Sequence, residues 1–156
     1  MSRDYGKAFE KKLKEDWLKI ENSTIDRLYD SMSGYRAISN ISDFIAYKYP
    51  NIFYLEAKSI RGNTFPLSNL SQYEKLKTKV DIPGVRTGVV IWFIDHDRVL
   101  YVPISTIARL KEDNKKSVNI RTIFKENYNV IELPSVKKRV FCDTDYSNLL
   151  LLKDGE

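Results

Sequence analysis

Apolar positions in this chain follow two periods, and the sequence divides into elements where one gives way to the other. Between residues 5 and 20, Phe9, Leu13, Trp17 and Ile20 recur at steps of three and four, the spacing that lines one face of a helix. Glu10 follows Phe9 by one position, about 100° round the helix, which sets its carboxylate at the rim of the buried face. Spacing alone favours an ordinary solvated glutamate. Residues 23–29 read as an irregular strand and residues 30–36 as a polar loop turned by Gly34. Two strands follow over residues 44–49 and 52–58, joined at Pro50-Asn51 as an antiparallel hairpin. The second begins almost wholly apolar, as a strand covered on both faces does, yet it ends in Glu56 and Lys58.

A loop over residues 60–67, containing Arg61, Gly62 and Pro66, leads to a second helix. Ser71 with Glu74 three residues later has the form of a capping box, and Leu70, Tyr73, Leu76 and Val80 can face the core. Gln72 falls in the first turn. Pro83-Gly84 ends that helix, and residues 87–94 form an uncharged run of β-branched and aromatic side chains expected of a central strand. Asp95-His96-Asp97 turns the chain into a strand over residues 98–102. A helix over residues 105–112, a basic loop, and strands within 129–133 and 140–152 complete a single α/β domain over residues 1–156, a central sheet flanked by helices.

Composition narrows the class. With 156 residues, 42% of them hydrophobic, ten Tyr and seven Phe, the chain has the material for a core and is not expected to be disordered. No apolar run reaches the roughly 18 residues of a membrane span, and the N-terminal residues lead into a charged helix rather than a signal core. No membrane association and a cytoplasmic location are the expectation. A single cysteine, Cys142, rules out an internal disulfide, and no Cys/His pair has zinc-ligand spacing. His96, the only histidine, stands between two aspartates where polar residues form turns first. The formal charge of +5 favours a polyanionic partner. Lysines gather in the first helix, at Lys75, Lys77 and Lys79, at Lys115-Lys116 and at Lys137-Lys138-Arg139, patches suited to lining one groove.

The charged end of the hairpin carries the chemistry. Glu56 and Lys58, two apart in a strand, point to one face while Ala57 points to the other. Antiparallel pairing returns Asp43 to the same end. Two carboxylates there can hold a hard divalent ion through oxygen, and the lysine can orient or help deprotonate a water. These are the parts needed to hydrolyse a phosphodiester. A surface ion pair also explains Glu56 with Lys58, but leaves Asp43 and the basic surroundings without a reason. Lys7, Lys11, Arg61, Lys75, Lys115 and Lys116 are the candidate DNA contacts.

These residues resemble the PD-(D/E)xK nuclease superfamily, and within it the RecU group of Holliday junction resolvases from Gram-positive bacteria and their phages. The likeness includes Gly6-Lys7-Ala8-Phe9-Glu10, the Asn63-Thr64-Phe65-Pro66-Leu67-Ser68-Asn69-Leu70 stretch, Gln72, Lys115-Lys116-Ser117-Val118 and Asp145-Tyr146, in order over nearly the whole chain. It implies a restriction-endonuclease-like fold and a Mg²⁺-dependent endonuclease, with Mn²⁺ able to substitute. Asp43, Glu56 and the Ala57 carbonyl would be metal ligands, with Glu10 completing the site directly or through water. Lys58 would position the attacking water, and Gln72 would orient lysine, water or DNA. The resemblance also implies a homodimer making paired nicks in a four-way junction, in DNA recombination and repair, in the host cytoplasm if the chain is phage-encoded. Two departures stand out. Ser42 occupies the position of the motif proline, and residues 21–42 do not resemble the long stalk segment of cellular RecU proteins, a departure for which a short, phage-type form is one explanation. The alternatives are the same centre acting on other DNA, and a non-catalytic DNA-binding module on this scaffold.

Overall fold

The computed structural model describes residues 4–33 and 36–156. Helix α1 (Tyr5–Trp17) starts at Asp4, whose side chain accepts the Lys7 N–H at 3.0 Å, and it buries Phe9, Leu13 and Trp17. It stops short of the expected Ile20, which still packs against the core. The chain turns at Asn22, φ 54°, into β1 (Ser23–Arg27). The polar loop expected next is instead the antiparallel pair β2 (Ser31–Ser33) and β3 (Arg36–Ile38). Ladder hydrogen bonds join backbone groups, so polar side chains do not prevent them. Gly34, the expected turn residue, lies outside the described residues.

Strands β4 (Phe44–Lys48) and β5 (Asn51–Ile60) form the expected hairpin, with Phe44 opposite Leu55 and Ala46 opposite Phe53. The loop that follows contains a short strand, β6 (Thr64–Pro66), paired with β9 (Ser117–Asn119). Helix α2 (Tyr73–Lys77) is brief, and its N-cap is Gln72 with no side-chain cap, so the Ser71–Glu74 capping box is not made. A 3₁₀ turn over Leu67–Asn69 comes first, and the burial of Leu67 and Leu70 decides where the helix begins. After β7 (Val85–Phe93), β8 (Arg98–Pro103) and α3 (Ile104–Glu112) come β10 (Ile131–Leu133), β11 (Ser135–Lys137) and β12 (Cys142–Thr144). The long final strand is thereby corrected. Past Thr144 the chain forms a 3₁₀ turn, Ser147–Leu151, and Leu149 and Leu152 are buried three apart, the spacing that aligns side chains in that helix type.

The main sheet has six strands in the order β1-β4-β5-β7-β8-β10, and only β5 and β7 run parallel. This is the expected mixed sheet between helices. One face carries α1 and the C-terminal turn over Trp17, Phe53, Trp92 and Tyr146, and the other carries α2 and α3 over Phe65, Leu76, Ile91 and Ile107. In β5, Phe53, Leu55 and Ala57 belong to the α1 side, whereas Tyr54 and Ile60 pack on the α2/α3 side. Glu56 and Lys58 share the parity of Tyr54 and so belong to the second face. Among the described residues no helix is long and apolar enough to cross a membrane.

Close approach at the sheet centre requires one glycine. A Cβ at Gly88 would lie 2.3 Å from the ring of the fully buried Tyr101. Gly88→Ala should therefore lower stability by about 1–3 kcal/mol, as overpacking does, seen as a lower denaturant midpoint at unchanged slope. A midpoint equal to wild type would show that the ring yields freely.

Candidate active site

The β4–β5 register brings the acidic residues together. With Phe44 opposite Leu55, Asp43 stands across from Glu56, and each carboxylate accepts a backbone N–H from the facing strand. The Asp43 N–H donates to Glu56 Oε2 at 3.1 Å, and the Ala57 N–H donates to Asp43 Oδ2 at 2.8 Å. Just before Asp43, the buried Ser42 hydroxyl donates to the Phe44 carbonyl at 2.8 Å, fixing the bend where the motif proline would stand. Lys58 Nζ lies 3.6 Å from Glu56 Oε1. Side-chain exposure rises from 6% at Glu56 through 17% at Asp43 to 30% at Lys58, so the group is sunk at one end and open to solvent at the other.

This setting shifts Glu56. Burial, reinforced by the neighbouring Asp43 charge and only partly offset by Lys58, pushes its carboxyl up to about 7. Lys58 counters the shift but does not cancel it. Hard oxygen donors side by side, one of them held in this way, fit a divalent cation of the Mg²⁺ class.

Glu10 does not join the pair directly. It reaches the site from α1 but is held by Arg27, whose Nε donates to Oε2 at 2.9 Å and whose Nη2 donates to Oε1 at 3.3 Å. The same Nη2 lies 3.5 Å from Asp43 Oδ1, while Nη1 donates to the carbonyls of Leu28 and Asp43. Among the described residues no three His, Cys, Asp or Glu side chains gather into a metal-binding group. A guanidinium stands between the third acid and the other two. Sequence reading missed Arg27 because nothing local marks it. Only the β1–β4 pairing, which sets Arg27 opposite Phe44, carries it to Asp43.

The other candidates scatter. Gln72 is half-buried at the start of α2, and among the described residues no hydrogen bond joins it to the acids or Lys58. Lys7 and Lys11, with Glu10, Lys14, Arg27, Tyr29 and Phe44, line a groove of about 500 Å³ beside the acid pair. Lys115 and Lys116 border a second groove of about 540 Å³ with Lys111 and Pro66-Leu67-Ser68, and Lys115 pairs with Glu126 at 3.2 Å. The basic patches thus line two grooves rather than one, because α1 and α3 lie on opposite faces of the sheet. Arg61 bonds Asp95 at 2.6 Å and packs over the Tyr5 ring at 4.9 Å. Lys75 donates to the Ser39 carbonyl at 3.0 Å. His96 Nε2 bonds Asn63 Oδ1 at 2.7 Å, a partner within the turn region rather than a ligand set. A larger concavity of about 630 Å³, between the end of α1 and the β11–β12 hairpin, contains none of the predicted residues.

No curated protein matches the chain in sequence. Among solved structures, Hjc of Archaeoglobus fulgidus, a Holliday junction resolvase from an archaeal hyperthermophile, matches with a TM-score of 0.57 at 16% identity, over 77% of this chain and 93% of Hjc. That likeness establishes the fold, which is restriction-endonuclease-like. The sequence model of one family, Recombination protein U (RecU), matches residues 6–140. That one span takes in Glu10, Arg27, the Asp43–Glu56 pair, Lys58 and Gln72, and with it the chain belongs to the Recombination protein U (RecU) family.

Proposed function

We propose that this chain is a Mg²⁺-dependent, structure-selective endonuclease that resolves Holliday junctions by paired nicks, acting as a homodimer. The observation that carries the reading is the pairing of Asp43 with Glu56, each carboxylate held by a backbone N–H of the facing strand, with Lys58 at the open end. Family membership supports resolvase activity, and the basic grooves supply the electrostatics for DNA. A Mg²⁺ or Mn²⁺ ion held by Asp43, Glu56 and the Ala57 carbonyl would supply Lewis-acid stabilisation of the scissile phosphate.

The chain's own residues do the rest. Backbone N–H groups hold Asp43 and Glu56 in place before substrate arrives, so little reorganisation remains for the reaction. Lys58, the most exposed of the three, orients the attacking water and offsets the negative charge that builds on the phosphate. Glu10 completes the acidic set from α1, and Gln72 contributes to orienting lysine, water or DNA. Lys7 and Lys11 meet the phosphate backbone beside the acids, so binding weakens as salt rises and counterion release loses its advantage. Paired nicks need two such centres facing opposed strands, which one subunit does not contain, and a dimer supplies them.

A labelled mobile four-way junction, beside a linear duplex of the same sequence, tests this directly. Wild type should nick the junction symmetrically with Mg²⁺ and not with EDTA, while Asp43→Asn and Glu56→Gln lose cleavage and keep junction binding. Cutting that survives both substitutions removes the mechanism. Equal cutting of linear duplex keeps the centre and moves the substrate class.

Glu56 also predicts a pH dependence without substrate. Its folded pKa, about 7, lies above the ordinary value of 4.5, so the native state holds a proton that the unfolded state has lost. The stability this contributes is complete below about pH 4.5 and is lost as pH rises through about 7. Glu56→Gln should then be more stable than wild type at pH 8 in metal-free buffer, by on the order of a few kcal/mol, with the gap closing towards pH 4.5. Parallel stability curves over that range would show that Glu56 is ordinary.

A further inference from the structure

We infer that Arg27 is a built-in cation of the acidic site, which a metal ion must displace and which then serves as a phosphate ligand in the adjoining groove. The inference rests on the proposed metal site. The guanidinium spends its donors on the site itself: Nε and Nη2 on Glu10, Nη2 facing Asp43 Oδ1 at 3.5 Å, and Nη1 on the Leu28 and Asp43 carbonyls. Two of the three acids expected to serve a metal thus already share the positive charge of one side chain. A guanidinium keeps its charge at any physiological pH, so it leaves by displacement and not by losing a proton. A divalent ion seated on the same oxygens meets like-charge repulsion until Arg27 moves.

The place it moves to is also built. Arg27 forms part of the wall of the 500 Å³ groove, which Lys7, Lys11 and Lys14 also line. Those lysines stand four and three residues apart, neighbours on one face of α1. The guanidinium packs 5.1 Å from the centre of the Tyr29 ring, and Tyr29 is 76% exposed. An outward swing keeps that cation–π contact available while turning the planar fork to the groove, where it can grip a phosphate through two hydrogen bonds. Metal binding and phosphate binding are then coupled through one side chain, each strengthening the other by the same factor.

The test uses the full chain with Arg27→Met, which keeps an unbranched stem without charge, and Arg27→Lys, which keeps charge without the fork. Calorimetric titration with Ca²⁺, a hard oxygen-seeking ion, and no DNA should show Arg27→Met binding about tenfold more tightly than wild type, equivalent to about 1.4 kcal/mol, with Arg27→Lys between them. Fluorescence anisotropy with a labelled four-way junction should show a larger Ca²⁺-induced gain in affinity for wild type than for Arg27→Met. Equal or weaker Ca²⁺ binding by a folded Arg27→Met, or by Arg27→Lys should the first variant not fold, overturns the inference and makes Arg27 a fixed support for Glu10. An equal Ca²⁺-induced gain in wild type and Arg27→Met overturns the coupling. Absence of Ca²⁺ binding in every variant, wild type included, removes the metal site itself, an outcome distinct from the other two.

Discussion

The register of β4 against β5 is the constraint on which the site depends. Because Phe44 lies opposite Leu55, the residue before the strand lies opposite Glu56, and backbone N–H groups at Asp43 and Ala57 become donors to the two carboxylates. Apolar burial holds that register. Phe44 and Ala46 on one strand and Phe53 and Leu55 on the other are buried beneath α1. A slip of one residue would turn all of them to the opposite face. The packing of the core and the placing of the acids are therefore one requirement.

Electrostatics at this pole are unbalanced in a way that burial alone would disfavour. Glu56 is nearly enclosed and shares its surroundings with Asp43, a pairing of like charges that raises the cost of ionising Glu56. Lys58 and Arg27 provide positive charge at different places. Lys58 sits on the strand beside Glu56 at the open edge, and Arg27 spans the gap between Glu10 and Asp43. The first faces solvent, the second the acids themselves.

The sheet sets these groups against two different surroundings. Helix α1 supplies Glu10 and a lysine-lined groove that reaches Arg27, whereas α3 and the turn after β6 form a separate basic groove on the face to which Glu56 and Lys58 belong. The parallel β5–β7 pair at the centre obliges the chain to cross over between them, and the crossover carries β6 and α2, with Gln72 at its start. Elements that look like connections in the sequence thus form part of the wall of the second basic groove.

Much was legible in the sequence because periodicity and same-face spacing are local. The stripe of α1, the β4–β5 hairpin and the uncharged run of β7 follow from residues a few positions apart, the meeting of Asp43 with Glu56 and Lys58 follows from one tight hairpin, and an ordered set of short motifs carried the family. What failed depended on distant partners. The Ser71–Glu74 cap gave way to the burial of Leu67 and Leu70, the segment after Thr144 became a 3₁₀ turn against Trp17 through Tyr146, and β6 exists only because β9 returns to pair with it. The role of Arg27 is of the same kind. Sequence by itself determined which acids and which lysine meet, since strand alternation and a tight hairpin dictate that; only the tertiary structure decided that an arginine from the edge strand stands between them and Glu10, because strand pairing and helix packing, not chain proximity, bring those charges into contact.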